Sequence, residues 1–249
     1  MRRNLLHDPR AVARGKPADV PWQVPRTWCF FDPATRLGRT YHGRLRLLLA
    51  LAGEINNARI LDAGCGDGKL SAACRQNGAV VFGIDTNESA IAFAKVFVPE
   101  GIFQVGTVTG MPYEDNSFDV VFCIETFEHI PPSIAHIAVA EFFRVLKRGG
   151  RLLLSVPSVR LPLRLRPRHY RHFTPAMLSE IFCPPFSAKY FCGQEKRTLF
   201  TECCSRLVEN SFLKIHPLAR FVNTRIFPRF WNAASLDTAA HVIAVFGKE

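Results

Sequence analysis

Acid is scarce in this sequence. Only 21 Asp and Glu stand against 32 Lys and Arg, and the formal charge is +11 over 249 residues. Long apolar runs are missing too: nothing approaches the ~20 residues of a transmembrane helix. The longest candidate, Leu47 to Ala52, follows Arg44 and Arg46 and reads as a buried helix face. None of the eight cysteines (Cys29, Cys65, Cys74, Cys123, Cys183, Cys192, Cys203 and Cys204) belongs to a C-x-x-C pair, which argues against a zinc site. Several lie in apolar segments, where a free thiol behaves as a small hydrophobe in a reducing compartment. The N-terminus carries Arg2, Arg3, Arg10 and Arg14, but Pro9, Pro17, Pro21 and Pro25 interrupt any amphipathic helix and no apolar secretory core follows. Residues 1–35 are therefore expected to be an irregular arm, and the address cytoplasmic.

What is present begins with an uneven charge. Residues 1–150 have a net charge of +2 and residues 151–249 one of +9. Such asymmetry points to an anionic partner, whether nucleic acid, lipid headgroup or phosphorylated substrate, or to a merely solvated surface. Short apolar stretches alternate with segments of helical period, the pattern of an α/β protein whose parallel sheet is covered on both faces. Helices are expected over 36–53, 69–76, 88–97, 134–146 and 176–182, the last with Thr174 as N-cap and Pro175 at its first position. Strands are expected over 59–63, 80–84, 102–105, 118–124, 151–156 and 241–246, with a helical insertion before the final one. Residues 36–249 then form a single domain, with a core over 58–156 and a less legible second side over 157–249.

The segment that carries most chemistry is Ile60-Leu61-Asp62-Ala63-Gly64-Cys65-Gly66-Asp67-Gly68. An apolar strand runs into a glycine-rich turn that opens a helix. Without β-carbons the backbone can turn sharply and approach a ligand, and the helix offers free N–H groups. A dinucleotide fingerprint G-x-G-x-x-G starting at Gly64 would need glycine at position 69, where this chain has Lys69. The order here is D-x-G-x-G-x-G.

In that order the chain resembles the class I S-adenosylmethionine-dependent methyltransferases, and among them the broad family that includes ubiquinone-biosynthesis O-methyltransferases. Four more segments agree, in sequence: Gly83-Ile84-Asp85; Met111-Pro112-Tyr113-Glu114-Asp115-Asn116-Ser117-Phe118-Asp119; Glu125-Thr126-Phe127-Glu128-His129-Ile130; and Arg144-Val145-Leu146-Lys147-Arg148-Gly149-Gly150. His172-Phe173-Thr174-Pro175 matches a frequent family segment ahead of a helix. The resemblance implies a Rossmann-like doubly wound fold, a mostly parallel seven-stranded sheet with an antiparallel last strand.

It also implies roles. Gly64, Gly66 and Gly68 would shape the loop around the methionine part of S-adenosyl-L-methionine, with Asp62 helping to hold it. Asp85 would bind the ribose hydroxyls, or else merely cap the helix that follows. Thr107 stands where the family usually has an acid for the adenine amino group, and its hydroxyl is the weaker acceptor. Glu125, at the end of strand four, is counted with the cofactor-binding residues. Arg148 replaces a family proline. Asp119 reads as structural.

His129 is the candidate general base for an oxygen acceptor, histidine being the side chain that titrates nearest neutrality; alternatively it only orients its loop. Glu125, Glu128 and His129 match a cluster associated with a divalent metal in ubiquinone-type enzymes, but no metal site is expected here. The stretch Arg160 to Arg171 alternates arginine with apolar residues or proline, and could grip a phosphate or carboxylate or rest on an anionic membrane. Residues 212–231 repeat the mixture and read as an interfacial segment, a lid or a packed insertion. The expected function is methyl transfer to a small-molecule or lipid-like acceptor, at oxygen, with peripheral membrane contact through the basic half. A nucleic-acid methyltransferase is the first alternative, disfavoured because Ile124-Glu125-Thr126-Phe127 replaces the N/D-P-P-Y/F of amino-methylating base enzymes. A non-catalytic cofactor-binding partner protein is the second.

Overall fold

The computed structural model describes residues 23–30, 36–159, 168–196, 221 and 234–249. Helix α1 (Arg26–Phe30) lies within the arm expected to be irregular. It is followed by α2 (Arg36–Ala52), β1 (Arg59–Ala63), α3 (Lys69–Gln76), β2 (Val80–Asp85), α4 (Glu88–Phe97), β3 (Ile102–Val105) and β4 (Phe118–Ile124). Two 3-10 turns, Phe127–His129 and Pro132–Ile134, lead into α5 (Ala135–Val145). Then come β5 (Leu146–Pro157), α6 (Pro175–Phe182), β6 (Ser187–Lys196) and β7 (Ala239–Gly247). The expected insertion before β7, Arg160 to Pro167, and Cys203 and Cys204 lie outside the described residues.

The seven strands form one sheet in the order β3-β2-β1-β4-β5-β7-β6. The first five pair in parallel, and β7 runs antiparallel between β5 and β6. Strand runs such as Leu152-Leu153-Leu154 are apolar at consecutive positions because both faces of the sheet are covered. Leu153, with Ile60, Val81 and Val120, packs under α2 and α3 through Leu45, Leu48, Leu70 and Cys74. Leu152 and Leu154 face the other way, onto Phe142 and Val145 of α5 and Leu178 and Phe182 of α6.

Helix starts follow local chemistry. The Asn87 side chain caps α4 by accepting from the Ala90 N–H at 2.9 Å, and Thr174 caps α6 by accepting from Met177 N–H at 3.2 Å. Arg144, inside a family-like segment, is a clamp: its guanidinium donates to Tyr113 O, Met111 O, Asp115 and Glu141, pinning the 111–115 loop ahead of β4. Asp119 likewise joins Lys147 Nζ (2.7 Å) to the Arg59 N–H (2.9 Å) at the far end of the sheet from the glycine turn. Those two N–H donors hold its carboxyl below the ordinary value although partial burial opposes them.

Candidate functional site

The sheet order reverses between β1 and β4, and ligands in open α/β sheets bind at the carboxyl ends of the strands beside such a switch. Asp62, Asp85, Thr107 and Glu125 all stand at that edge, at or just past the ends of β1, β2, β3 and β4.

The glycine turn is fixed from below. The N–H groups of Gly64 and Cys65 both donate to Ile84 O, at 2.8 and 3.1 Å. Gly64 has φ +86° and a β-carbon there would run into Thr126 from the loop after β4; Gly68 has φ +77° and faces Ala94 of α4. Both the backbone conformation and the close approach demand glycine.

Asp85 joins the turn to the next helix. One carboxylate oxygen accepts from Gly66 N–H and the other from Asn87 N–H, each at 2.9 Å. Burial raises its pKa, and the two N–H donors oppose that. The helix cap is Asn87, not Asp85. Asp62 is almost fully buried and accepts from Ser71 Oγ at 2.7 Å. Burial pushes its pKa up to about 7, with Asp85 and Asp67 adding to the rise and Ser71 moderating it. The Thr107 hydroxyl is exposed, accepts from Thr109 N–H and lies 2.9 Å from the Thr109 hydroxyl.

Residues the sequence reading passed over complete this edge. Helix α1 lies across the turn: Thr27 gives its N–H (2.7 Å) and hydroxyl to the carboxylate of Asp67, which is fully buried. The Trp28 indole N–H donates to Asp67 O at 3.0 Å. Its ring stacks on Phe97 at 4.6 Å and lies beneath the Lys69 ammonium at 3.6 Å. No periodic pattern in the proline-rich arm signals this contact.

Glu125 has φ +51°, a left-handed conformation that is rare outside glycine, and its carboxylate is heavily engaged. It meets Arg44 Nη1 (3.0 Å), Ser155 Oγ (2.9 Å) and His241 Nε2 (3.3 Å). Burial opposes ionisation, yet Arg44 and His241 together hold its carboxyl far below the ordinary range. Arg44 Nε also donates to Gln194 Oε1 (2.9 Å), and Gln194 Nε2 to Thr40 O (2.7 Å), so α2, β4, β6 and β7 meet in one polar knot.

His129 sits on the 3-10 turn after β4, partly exposed. Its Nδ1 lies 2.8 Å from Arg168 O. A carbonyl only accepts, so Nδ1 carries the proton and Nε2 presents a lone pair. The His169 ring meets His129 edge-on at 4.9 Å, and His169 Nδ1 is 3.2 Å from His172 Nε2. Ligand atoms of Glu128, His129 and His169 lie within 4.8 Å of one another, a carboxylate and two imidazoles of the kind borderline divalent ions accept. Glu125 is not among them. The repeated histidine in Arg168-His169-Tyr170-Arg171-His172 was the available signal for His169.

Residues 61–154 match the family described as "Methyltransferase domain". Residues 61–154 carry a methyltransferase domain. The cofactor of such a domain is S-adenosyl-L-methionine. A ubiquinone biosynthesis O-methyltransferase of Bordetella avium (strain 197N) is 34% identical over 149 residues, 52% of this chain and 61% of the relative. The first curated relatives are matched over only 43% to 61% of their own lengths. Among solved structures, the PH0226 protein of Pyrococcus horikoshii OT3 superposes with a TM-score of 0.62 at 18% identity, covering 90% of this chain and 96% of that one. A TehB-like SAM-dependent methyltransferase of Corynebacterium glutamicum gives 0.56 at 19% identity, covering 83% and 88%. At these identities the likeness is one of fold, and the methyltransferase domain shares it. No helix among the described residues is long and apolar enough to cross a membrane.

Proposed function

We propose that this protein transfers the methyl group of S-adenosyl-L-methionine to an oxygen of a small-molecule or lipid-like acceptor, with His129 as general base. The observation that carries the reading is the disposition of His129. Its Nδ1 is tied to Arg168 O, and its Nε2, 4.0 Å from Glu128 Oε1, is left to take a proton. Base and cofactor-binding acid stand at the same carboxyl edge of the sheet, after β4 and at the end of β2.

The bound cofactor supplies an activated methyl group on a sulfonium, so the chain's tasks are to position, to exclude water and to remove one proton. Gly64, Gly66 and Gly68 bring the backbone against the methionine portion, with Asp62 behind them. Each Asp85 oxygen takes one main-chain N–H and keeps lone pairs for the two ribose hydroxyls. Thr107 offers its oxygen to the adenine amino group, and Glu125 closes the pocket at the end of β4, steadied by Arg44. Holding the acceptor oxygen in line with the methyl lowers the barrier by about 7–11 kcal/mol, and a positioned base adds ~10²–10⁴-fold. The unit that does this is residues 36–249 with α1 laid across the glycine turn, and 58–156 is the cofactor core. The +9 charge of residues 151–249 favours an acceptor or neighbouring surface of negative charge.

Calorimetry with S-adenosyl-L-methionine and its demethylated product tests the cofactor site. Micromolar binding of either is expected, and Asp85→Ala should abolish it. An affinity unchanged by that substitution would overturn the site assignment.

A further inference from the structure

Arg171 is the side chain of this edge that the proposed reaction leaves unused. Among the described residues its guanidinium has no hydrogen bond and no carboxylate partner, and its Nε is wholly buried without an acceptor. Half-burial alone lowers its pKa, with no acid to offset the cost. The guanidinium lies over the Phe173 ring, with Cζ 5.0 Å from the ring centroid. A guanidinium lying over an aromatic face keeps its in-plane N–H fork available, and that fork matches the paired oxygens of a carboxylate or phosphate.

The segment holding Arg171 is stitched to the catalytic edge. Tyr170 N–H donates to Glu128 O at 2.9 Å, His129 Nδ1 to Arg168 O, and Phe173 N–H to Pro157 O at 2.9 Å at the end of β5. Phe173 packs against Phe127, two residues before His129. Arg171 is two residues from His169, whose ring touches that of His129. A half-buried cation with no partner among the described residues is thus held on the segment that touches the base, at a cost that an incoming anion would reverse.

We propose that Arg171 binds an anionic oxygen pair on the methyl acceptor, so that the acceptor class is a hydroxylated molecule bearing a carboxylate or phosphate. This rests on the methyltransferase reading above. Arg171 sets acceptor specificity and His129 takes the proton.

The test uses the full chain saturated with S-adenosylhomocysteine and three probes: 3,4-dihydroxybenzoate, its primary amide, and 3,4-dihydroxyphenyl phosphate. One charge-assisted pair corresponds to ~10–100-fold in affinity. Calorimetry should show the acid or the phosphate ester binding at least about tenfold more tightly than the amide, and whichever is tighter identifies the anion. Arg171→Ala should bring the anion down to the amide's affinity and leave the amide unchanged, while Arg171→Lys keeps part of the preference. Equal affinities for all three probes, no binding of any, or an equal loss for anion and amide in Arg171→Ala would overturn the inference. S-adenosylhomocysteine affinity, measured alongside, shows separately whether the cofactor reading stands and whether the variant is folded.

Discussion

Asp62→Asn should make the cofactor-free protein more stable, and more so as pH rises. Asp62 is the penultimate residue of β1, is nearly fully buried, and has a folded-state pKa of about 7 against an ordinary 3.8. A carboxyl whose pKa is raised by folding favours the folded state in acid and penalises it as pH climbs from the unfolded value to the folded one. Three units correspond to about 4 kcal/mol at most. Asparagine keeps an oxygen to accept from Ser71 Oγ and removes the charge. Urea denaturation without cofactor should therefore show little difference near pH 4 and a gain approaching ~4 kcal/mol near pH 8. With the cofactor the sign reverses. Cationic groups on the ligand would draw the proton from Asp62, so wild-type binding at neutral pH should release protons, visible in buffers of different ionisation enthalpy. The variant should release fewer and bind less tightly. A gain identical at every pH, or none at all, would refute the assignment of the charge penalty to Asp62.

His129→Ala should lower kcat by ~10²–10⁴ while leaving S-adenosylhomocysteine affinity unchanged, as a single-turnover assay with calorimetry would show; unaltered turnover would reduce His129 to a loop-positioning role. Arg44→Ala leaves the Glu125 carboxylate with only Ser155 and His241 as partners and should cost at most about 3–5 kcal/mol near neutrality. Because Glu125 has a depressed folded pKa, its stabilising contribution exists above the unfolded value and fades in acid, so the deficit should shrink below about pH 4. Denaturation curves across pH check both the size and the trend.

What the sequence discloses is what neighbouring residues decide. The limits of β1, α3, α4, β3 and β4 coincide with the expected ones because continuous apolar runs end at Gly, Asn or charged residues. The glycine turn, Asp62 and Asp85 are set by spacing within 24 residues, and their placement at one sheet edge follows from the fold. Strand β5 begins at Leu146, five residues early, since its first pairing to Phe118 passes through an irregularity that the Gly149-Gly150 signal conceals. Strand β6, Ser-Ala-Lys-Tyr-Phe-Cys-Gly-Gln-Glu-Lys, is too polar to announce itself because it pairs only with β7 at the edge of the sheet. The knot of Arg44, Glu125, Gln194 and His241 joins residues up to 150 positions apart, a relation no local pattern contains. Arg171 stood out only as one arginine in a basic run, and what distinguishes it, an aromatic floor and no acid, is a property of the folded surface.

Helix α1 bears on where this domain can be divided. A chain trimmed to residue 36 would retain every strand, helices α2 to α6 and every glycine of the turn. It would also strip the Asp67 carboxylate, fully enclosed in the intact chain, of the Thr27 donors that make its charge tolerable and of the helix that covers it. That carboxylate would then have to take up a proton or admit water beneath the cofactor turn. Residues 26–30 are in this sense a detached part of the glycine-turn half, and any graft, fusion or split of the domain has to carry them along.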